Sequence, residues 1–270
     1  MPLTIDACFA QHQGDRQEQQ DRVAIFGHPK VKGVALAVLA DGMGGHTGGS
    51  LAAEQVVHTA KQNLGHFSPS EDAPRQMLEH SMLEAHTMIK ASRFINEKDP
   101  HSTAVLLLVQ PGRISWGHCG DSRMYRFHDE KMVFRTTDHS YVEHLVATGK
   151  ITPEQAETHQ YRNVLLTSLG GGEDPKFTFG DTTDFIGGDS YVICSDGLWA
   201  YFDPVEMGGV VAAFSAREAC EVLIKRARER SRGEGDNCSL AIVKIKEVVP
   251  EKPKLPTGFK PRPGFPPLNT

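Results

Sequence analysis

The sequence has few cysteines, no excess of positive charge and no long apolar run, and each absence excludes a class of protein. The five cysteines form an odd, scattered set that lies mostly within apolar segments: Cys8, Cys119, Cys194, Cys220 and Cys238. This pattern favours buried, reduced thiols in a cytoplasmic protein over a disulfide framework or a zinc site. With 29 basic and 34 acidic residues, the chain has no electrostatic footprint for nucleic acid.

No apolar run approaches the length of a membrane span, so we expect no membrane partner. The first residues, MPLTIDACFA, lack a basic segment followed by an apolar one, and we therefore expect no secretory signal. The chain has 270 residues, 39% of them hydrophobic, which is enough to bury a full core in one domain.

The composition changes sharply after Val249, where EKPKLPTGFKPRPGFPPLNT is rich in proline and basic residues. We predict one domain over residues 1–248 and an extended, largely disordered tail over residues 249–270. The tail is either a solvated segment or a polyproline ligand that binds a partner or folds back onto the domain.

The stretch Gly33 to His46, GVALAVLADGMGGH, is the most informative part of the sequence. The apolar residues 34–40 predict a buried strand, and the glycines that follow predict a break that lets the backbone approach a ligand. Asp41 stands at the predicted end of the strand. Such an acid is either a turn former or a metal ligand.

The same arrangement of an apolar run followed by an acid recurs at Asp121 and Asp196, and a related one occurs at Asp236, where Gly235, Asp236 and Asn237 lead into the last predicted strand. Strand ends that each project one carboxylate can converge at one edge of a sheet. Two carboxylates about 4 Å apart repel by roughly 4 kcal/mol at an effective dielectric near 20, so such a cluster needs a cation. Oxygen ligands without cysteine or histidine indicate magnesium or manganese rather than zinc.

The hairpin between the first two predicted strands carries two further candidates. Arg16 has a planar fork that matches two oxygens of a phosphate group, and Asp21 follows it. Each is equally compatible with an ordinary solvated or turn position.

The remaining pattern predicts strands and helices in a definite order. Residues 51–64 and 74–94 show helical stripes, the first ending at Gly65, and Ser215 with Glu218 predicts a capping box before a last helix. Short apolar runs between residues 102 and 135 are typical of an antiparallel meander, and residues 176–180 predict a further strand. We expect an α+β fold, a four-layer α-β-β-α sandwich of two antiparallel sheets flanked by helices.

The motifs occur in an order that resembles the metal-dependent serine/threonine protein phosphatases, the type 2C or PPM family, in its bacterial form. They are RQEQQD, LADGMGGH, STAV, GHCGDSR, TDHS, TGKITPEQAETHQYRNVL, CSDGLW and GDNCS. The resemblance spans roughly residues 5–245. It implies the same sandwich, with a two-metal centre at one end of the sheets.

The resemblance also implies a role for each candidate. Arg16 would bind the substrate phosphate, and Asp41 would bridge both metal ions. The resemblance therefore implies that these two are the catalytic residues. The implied metal ligands are the acids of the repeated motif and two neighbours, namely Asp21, Asp41, the Gly42 carbonyl, Asp121, Asp196 and Asp236. Asp121 and Asp196 match the place of a third ion in bacterial members, and residues 139–170 resemble a mobile flap.

One position that bears on the general acid departs from the wider family. Met43 stands where many eukaryotic members have a histidine that is proposed as the general acid. His46 is a candidate for that role by its position in the sequence, and a structural role is an equal alternative. Asn237 could orient Asp236, touch metal-bound water or simply form a turn.

The resemblance implies hydrolysis of phosphoserine and phosphothreonine by direct attack of a metal-bridging hydroxide, with Mn²⁺ or Mg²⁺ as cofactors. The implied partners are phosphorylated proteins, including a serine/threonine protein kinase and its substrates. Two alternatives remain open: a binuclear-metal phosphoesterase that acts on small phosphoesters, and a phosphatase-fold binding module without catalysis.

Overall fold

The computed structural model describes residues 3–44, 47–96 and 99–247. Within these ranges the chain forms eleven strands and seven helices. In chain order they are β1 (Leu3–His12), β2 (Asp21–Gly27), β3 (Ala35–Met43), α1 (Thr47–His66), α2 (Pro74–Asn96), β4 (His101–Ser102), β5 (Ala104–Gln110), β6 (Arg113–Cys119), β7 (Arg123–His128), β8 (Lys131–Arg135), α3 (Tyr141–Ala147), α4 (Pro153–Glu157), β9 (Thr178–Thr182), β10 (Asp189–Cys194), α5 (Asp196–Trp199), α6 (Pro204–Ala213), α7 (Ala216–Ser231) and β11 (Cys238–Glu247).

The strands form two antiparallel sheets. The five-stranded sheet has the order β1-β11-β10-β7-β8, and the six-stranded sheet has the order β2-β3-β5-β6-β9 with β4 paired to the end of β3. The predicted α+β class and four-layer sandwich are confirmed.

Three apolar clusters separate the four layers. The central cluster lies between the sheets and includes Leu39, Ile114 and Tyr191. A second cluster joins α1 and α2 to the six-stranded sheet, and a third joins α5, α6 and α7 to the five-stranded sheet. Strands such as β3, buried on both faces, therefore read as continuous apolar runs rather than as alternating ones.

The prediction of a single meander over residues 102–135 is wrong. β5 pairs with β6 in one sheet, whereas β7 pairs with β8 in the other. The second edge of β6 is taken by β9, which leaves β7 to join β10. The chain crosses between the sheets at Gly120, whose φ of 99° is a backbone conformation that favours glycine.

Several predicted boundaries shift by a few residues. The capping box of Ser215 and Glu218 is present, but α1 continues past Gly65 to His66, and β9 lies at Thr178–Thr182 rather than at residues 176–180. The expected break after residue 40 is wrong. β3 continues to Met43 because its last two residues pair with β4, so Asp41 lies within a strand.

Two of the sequence predictions lie outside the described residues. These are the tail over residues 249–270 and the position of His46. Within the described ranges, no helix combines the length and the apolar character that crossing a membrane requires.

Candidate active site

Asp21 and Asp41 face each other across neighbouring strands. They are a directly opposed pair in the antiparallel register of β2 and β3, which places their Cα atoms about 4.5–5.5 Å apart. Like charges directly opposite in a sheet are destabilising. The strand pairing therefore brings together two acids that were 20 residues apart in sequence.

The backbone of Asp41 is fixed on its other side by Thr103. The Asp41 N–H donates to Thr103 Oγ1 at 3.0 Å, and the Thr103 N–H donates to the Asp41 carbonyl at 2.8 Å. The next residue, Gly42, lies against the start of α1, where an added Cβ would be 1.9 Å from the Gly49 carbonyl oxygen. Only glycine fits at residue 42, so the chain turns from β3 into α1 without displacing Asp41.

Ser195 connects the two sheets at this end of the sandwich. It is fully buried, and its hydroxyl donates to Asp21 Oδ2 at 2.7 Å while accepting the Ser239 N–H at 3.1 Å. Ser195 is also the residue before α5, so Asp196 occupies the first position of that short helix. The bond from Ser195 to Asp21 thus sets Asp196 beside the β2–β3 pair.

Asp236 and Arg16 form an ion pair at the mouth of the site. Arg16 Nη2 lies 2.5 Å from Asp236 Oδ2, and the two side chains are 62% and 39% exposed. The other carboxylate oxygen, Oδ1, accepts the backbone N–H of Asn237 at 2.8 Å. The arginine predicted to bind phosphate is therefore next to the acids and open to solvent.

Asn237 attaches the loop between β1 and β2 that carries Arg16. The hairpin predicted here is wrong, because β1 and β2 pair in different sheets. The Asn237 side-chain oxygen accepts the Gln20 N–H at 2.7 Å, and its amide nitrogen donates to the carbonyls of Gln13 and Glu18 at 2.7 and 2.9 Å. These three bonds all go to the backbone of the Arg16 loop. Of the alternatives left open by the sequence, the geometry favours a structural residue, which orients Asp236 through its backbone alone.

The backbone of Asp121 is held by Trp199, which stacks with Arg123. Trp199 donates its indole N–H to the Asp121 carbonyl at 3.1 Å, and the Arg123 guanidinium lies 3.5 Å from the centre of the Trp199 ring. Arg123 also donates two bonds to Asp138, at 2.9 and 2.7 Å. Because Trp199 belongs to the same helix as Asp196, this stack ties Asp121 to Asp196.

The carboxylates raise one another's pKa. Burial is the largest cause for Asp41, whose pKa is well above its usual range, and the charges of Asp21, Asp196 and Asp121 add to it. Burial and the charge of Asp196 raise the pKa of Asp121 to about 7. The pKa values of Asp21 and Asp196 are also raised, by burial first and then by neighbouring acids. This end of the sandwich is a site that favours a bound cation.

The donor chemistry fits a hard divalent ion. Carboxylate and backbone carbonyl oxygens are the ligands that magnesium and manganese prefer, and the acids lie close enough to shift each other's pKa. Among residues 3–44, 47–96 and 99–247, no three His, Cys, Asp or Glu side chains already form a group that could hold a metal ion. The fit therefore rests on the donor set and on its charge, which Arg16 offsets only in part.

The cysteines near the motifs are poor nucleophiles. All five cysteines are free, and burial raises the pKa of Cys119 and of Cys238 to about 12. A thiol with such a pKa carries almost no thiolate at neutral pH. Hydrolysis by a cysteine nucleophile is therefore disfavoured at this site.

The predicted flap segment is fastened at both of its ends. At the first end, the His139 N–H donates to the Gly120 carbonyl at 2.9 Å, next to Asp121. At the second end, the Gly170 N–H donates to His86 Nδ1 at 3.1 Å. Between these points the segment carries α3, α4 and the exposed pair Arg162 and Asn163.

The structure brings together Arg16, Asp21, Asp41, Gly42, Asp121, Asp196 and Asp236, the residues that the sequence singled out for the site. Sequence reasoning missed Thr103 and Ser195, which hold these acids in place. Both are polar residues that adjoin an apolar strand, Thr103 directly before β5 and Ser195 directly after β10, and this is the signal that could have identified them.

The fold is shared with solved phosphatases. A serine/threonine phosphatase of S. agalactiae superposes with a TM-score of 0.81 at 26% identity, covering 89% of this chain and 99% of that one. The catalytic domain of PstP, solved in complex with two manganese ions, has a TM-score of 0.75 at 27% identity, covering 91% and 100%. The sandwich with an acidic end is thus the fold that these bacterial serine/threonine phosphatases share with this chain.

The sequence comparisons name the family. The family model for protein phosphatase 2C matches residues 10–222. The Mycobacterium tuberculosis phosphatase PstP is 31% identical over 218 residues, which are 79% of this chain and 41% of that protein. A putative 2C-type phosphatase of Streptococcus pyogenes is 30% identical over 234 residues, 84% and 92% of the two chains. The chain belongs to the protein phosphatase 2C family.

Proposed function

We propose that this chain is a metal-dependent protein phosphatase that hydrolyses phosphoserine and phosphothreonine. The observation that carries the proposal is the convergence of five acids with Arg16 at one end of the sandwich. Carboxylates clustered in this way repel one another and do not stabilise an apolar core. Divalent ions that bind a phosphate group would offset that repulsion. The names of the related phosphatases support the same reading.

The acids divide between the ions that they would hold. When bound, divalent cations lower the pKa of a coordinated water and neutralise phosphoryl oxygens. Asp41 would hold both of the main ions. Asp196 and Asp236 would hold the first, whereas the Gly42 carbonyl and, through water, Asp21 would hold the second. Asp121 together with Asp196 would hold a third, weaker ion. Manganese and magnesium are the candidates, and the two-manganese structure of PstP supports the former.

The residues around the acids provide orientation. The Arg16 fork would bind two phosphate oxygens and align the leaving group. Thr103 holds Asp41, and Ser195 holds Asp21, through the bonds described above. Because these partners are buried, the acids keep their positions without reorganisation when substrate arrives.

The natural substrates would be phosphorylated proteins, including a serine/threonine protein kinase and the proteins it modifies. The free thiols support a cytoplasmic location. The proline-rich residues 249–270 lie outside the described part of the chain, and their composition supports a role in binding a partner groove. Deleting the tail tests that role: unchanged activity and partner binding would contradict it.

The central experiment is hydrolysis of a phosphothreonine peptide in EDTA and then with added Mn²⁺ or Mg²⁺. We expect activity only with metal, and a loss of at least a hundredfold in Asp41→Asn and Asp236→Asn, on the order of what one lost electrostatic contact to the reaction costs. Asp181→Asn is the matched control, because Asp181 is an exposed acid that pairs with Arg113 away from the cluster.

The same assay separates the alternatives. Faster turnover of nucleotides than of phosphopeptides would indicate a small-molecule phosphoesterase. A folded chain without activity in any metal would indicate a binding module. Near-native activity of Asp41→Asn would contradict the site assignment itself.

A further inference from the structure

The Arg16 loop is bonded to the loop of Asp236 at a second point, in addition to Asn237. Asp15, the residue before Arg16, exchanges two bonds with Gly235. The Asp15 N–H donates to the Gly235 carbonyl at 2.8 Å, and Asp15 Oδ2 accepts the Gly235 N–H at 2.7 Å.

The Asp15 carboxylate also binds Arg228, which lies in the last turns of α7. Arg228 Nη2 and Nη1 donate to the two oxygens of Asp15 at 2.6 and 2.7 Å, a bidentate geometry that is stronger and more directional than a single bond. The side chains of Arg228 and Asp15 are only 23% and 28% exposed. Arg228 Nη1 also donates to Ser231 Oγ at 3.1 Å, which fixes its own orientation.

The Arg16 loop fits closely against the loop of Asp236. Gly14 has a φ of 69°, and a Cβ at this position would lie 2.1 Å from the Asp236 carbonyl oxygen. Gln13 Nε2 closes the turn by donating to the Arg16 carbonyl at 2.8 Å. The backbone at residue 16 is therefore set by its neighbours, while its long side chain is mostly exposed.

We propose that Asp15 and Arg228 are positioning residues that hold Arg16 in place for the substrate phosphate. The inference rests on the proposed function, in which Arg16 binds that phosphate. The Arg16 side chain is 62% exposed and pairs with Asp236 of the adjoining loop, so the position of its guanidinium depends on how that loop and the backbone of residue 16 are held together. The ion pair links that backbone to α7, on the outer face of the five-stranded sheet.

Arg228→Met tests the proposal, because methionine keeps much of the apolar length and removes the charge. Arg230→Met is the matched control. Arg230 lies in the same last turns of α7 and forms a bidentate pair with Glu206, away from the Arg16 loop. Each variant is assayed with Mn²⁺ for kcat and KM on a phosphothreonine peptide and for inhibition by inorganic phosphate.

We expect Arg228→Met to raise KM and the phosphate inhibition constant together, roughly fivefold, the upper end for a partly exposed ion pair, with kcat changed less than twofold. Asp15→Asn should give the same result, and Arg230→Met should match the wild type. In an Arg16→Ala background, Arg228→Met should add no further loss, because its effect passes through Arg16.

Two results would overturn this role. The first is an active wild type in which Arg228→Met and Arg230→Met behave alike. The second is an equal loss from Arg228→Met with and without Arg16, which would indicate a general structural effect. A wild-type chain that turns over no phosphopeptide would instead contradict the proposed function, and with it the role of this pair.

Discussion

Replacing Ser195 by alanine tests how the two sheets are joined at the site. The substitution removes the donor to Asp21 Oδ2 and the acceptor of the Ser239 N–H, and all three residues are at most 1% exposed. Water cannot take over either bond without opening the core. A lost hydrogen bond to a buried charged group costs about 1.5–3 kcal/mol, so we expect a decrease of that size in the free energy of unfolding.

Urea unfolding at pH 8 in EDTA measures this change without a contribution from bound metal. Ser115→Ala is the matched control, because Ser115 is 3% exposed and its hydroxyl has no hydrogen-bond partner in the described structure. Removing an unsatisfied hydroxyl should be neutral or stabilising. A Ser195→Ala variant within 0.5 kcal/mol of Ser115→Ala, about the spread of ordinary neutral substitutions, would refute the reasoning.

Three further predictions concern the surroundings of the site. Arg123→Met should lower the free energy of unfolding by about 3–5 kcal/mol, because it leaves the buried Asp138 carboxylate unpaired; a loss below about 1 kcal/mol in urea would contradict this. Burial lowers the pKa of His139 to about 4, so the fold favours its neutral form. Its contribution to stability should fall as the pH falls from about 6.5 to about 4, and His139→Gln should show a shallower decline over that window. Gly42→Ala should weaken Mn²⁺ binding measured by calorimetry, since its Cβ would collide with the Gly49 carbonyl; unchanged affinity would contradict the close fit.

The sequence predicted the layers, and singled out the acids as candidates, because both have local signals. β3 is buried on both faces and so reads as an unbroken apolar run, and each candidate acid lies at or next to one end of a strand run or inside its last residues. Ser215 and Glu218 likewise interact within four residues. Patterns of this kind depend on neighbours in the chain, which a sequence shows directly.

What the sequence could not predict depends on pairing between distant strands. Asp41 was expected at a strand end, but the distant His101 and Ser102 extend β3 past it. The predicted meander was wrong for a similar reason. β9, which comes more than 50 residues later in the chain, occupies the edge of β6. The role of Ser195 was invisible because its partner Asp21 lies 174 residues away.

The acids of the site come from both sheets and meet where the sheets face each other at one end. Asp21 and Asp41 come from the six-stranded sheet, whereas Asp196 and Asp236 flank β10 and β11 of the five-stranded sheet. Repulsion between the two pairs opposes closure of the sandwich at this end, and each cross-connection that the structure shows there opposes the repulsion. Ser195 bonds from one sheet to the other, and Asn237 binds the loop that precedes β2. These neutral donors fix the acids without adding a positive charge, so a bound divalent ion would still be needed to neutralise the cluster, which Arg16 offsets only in part.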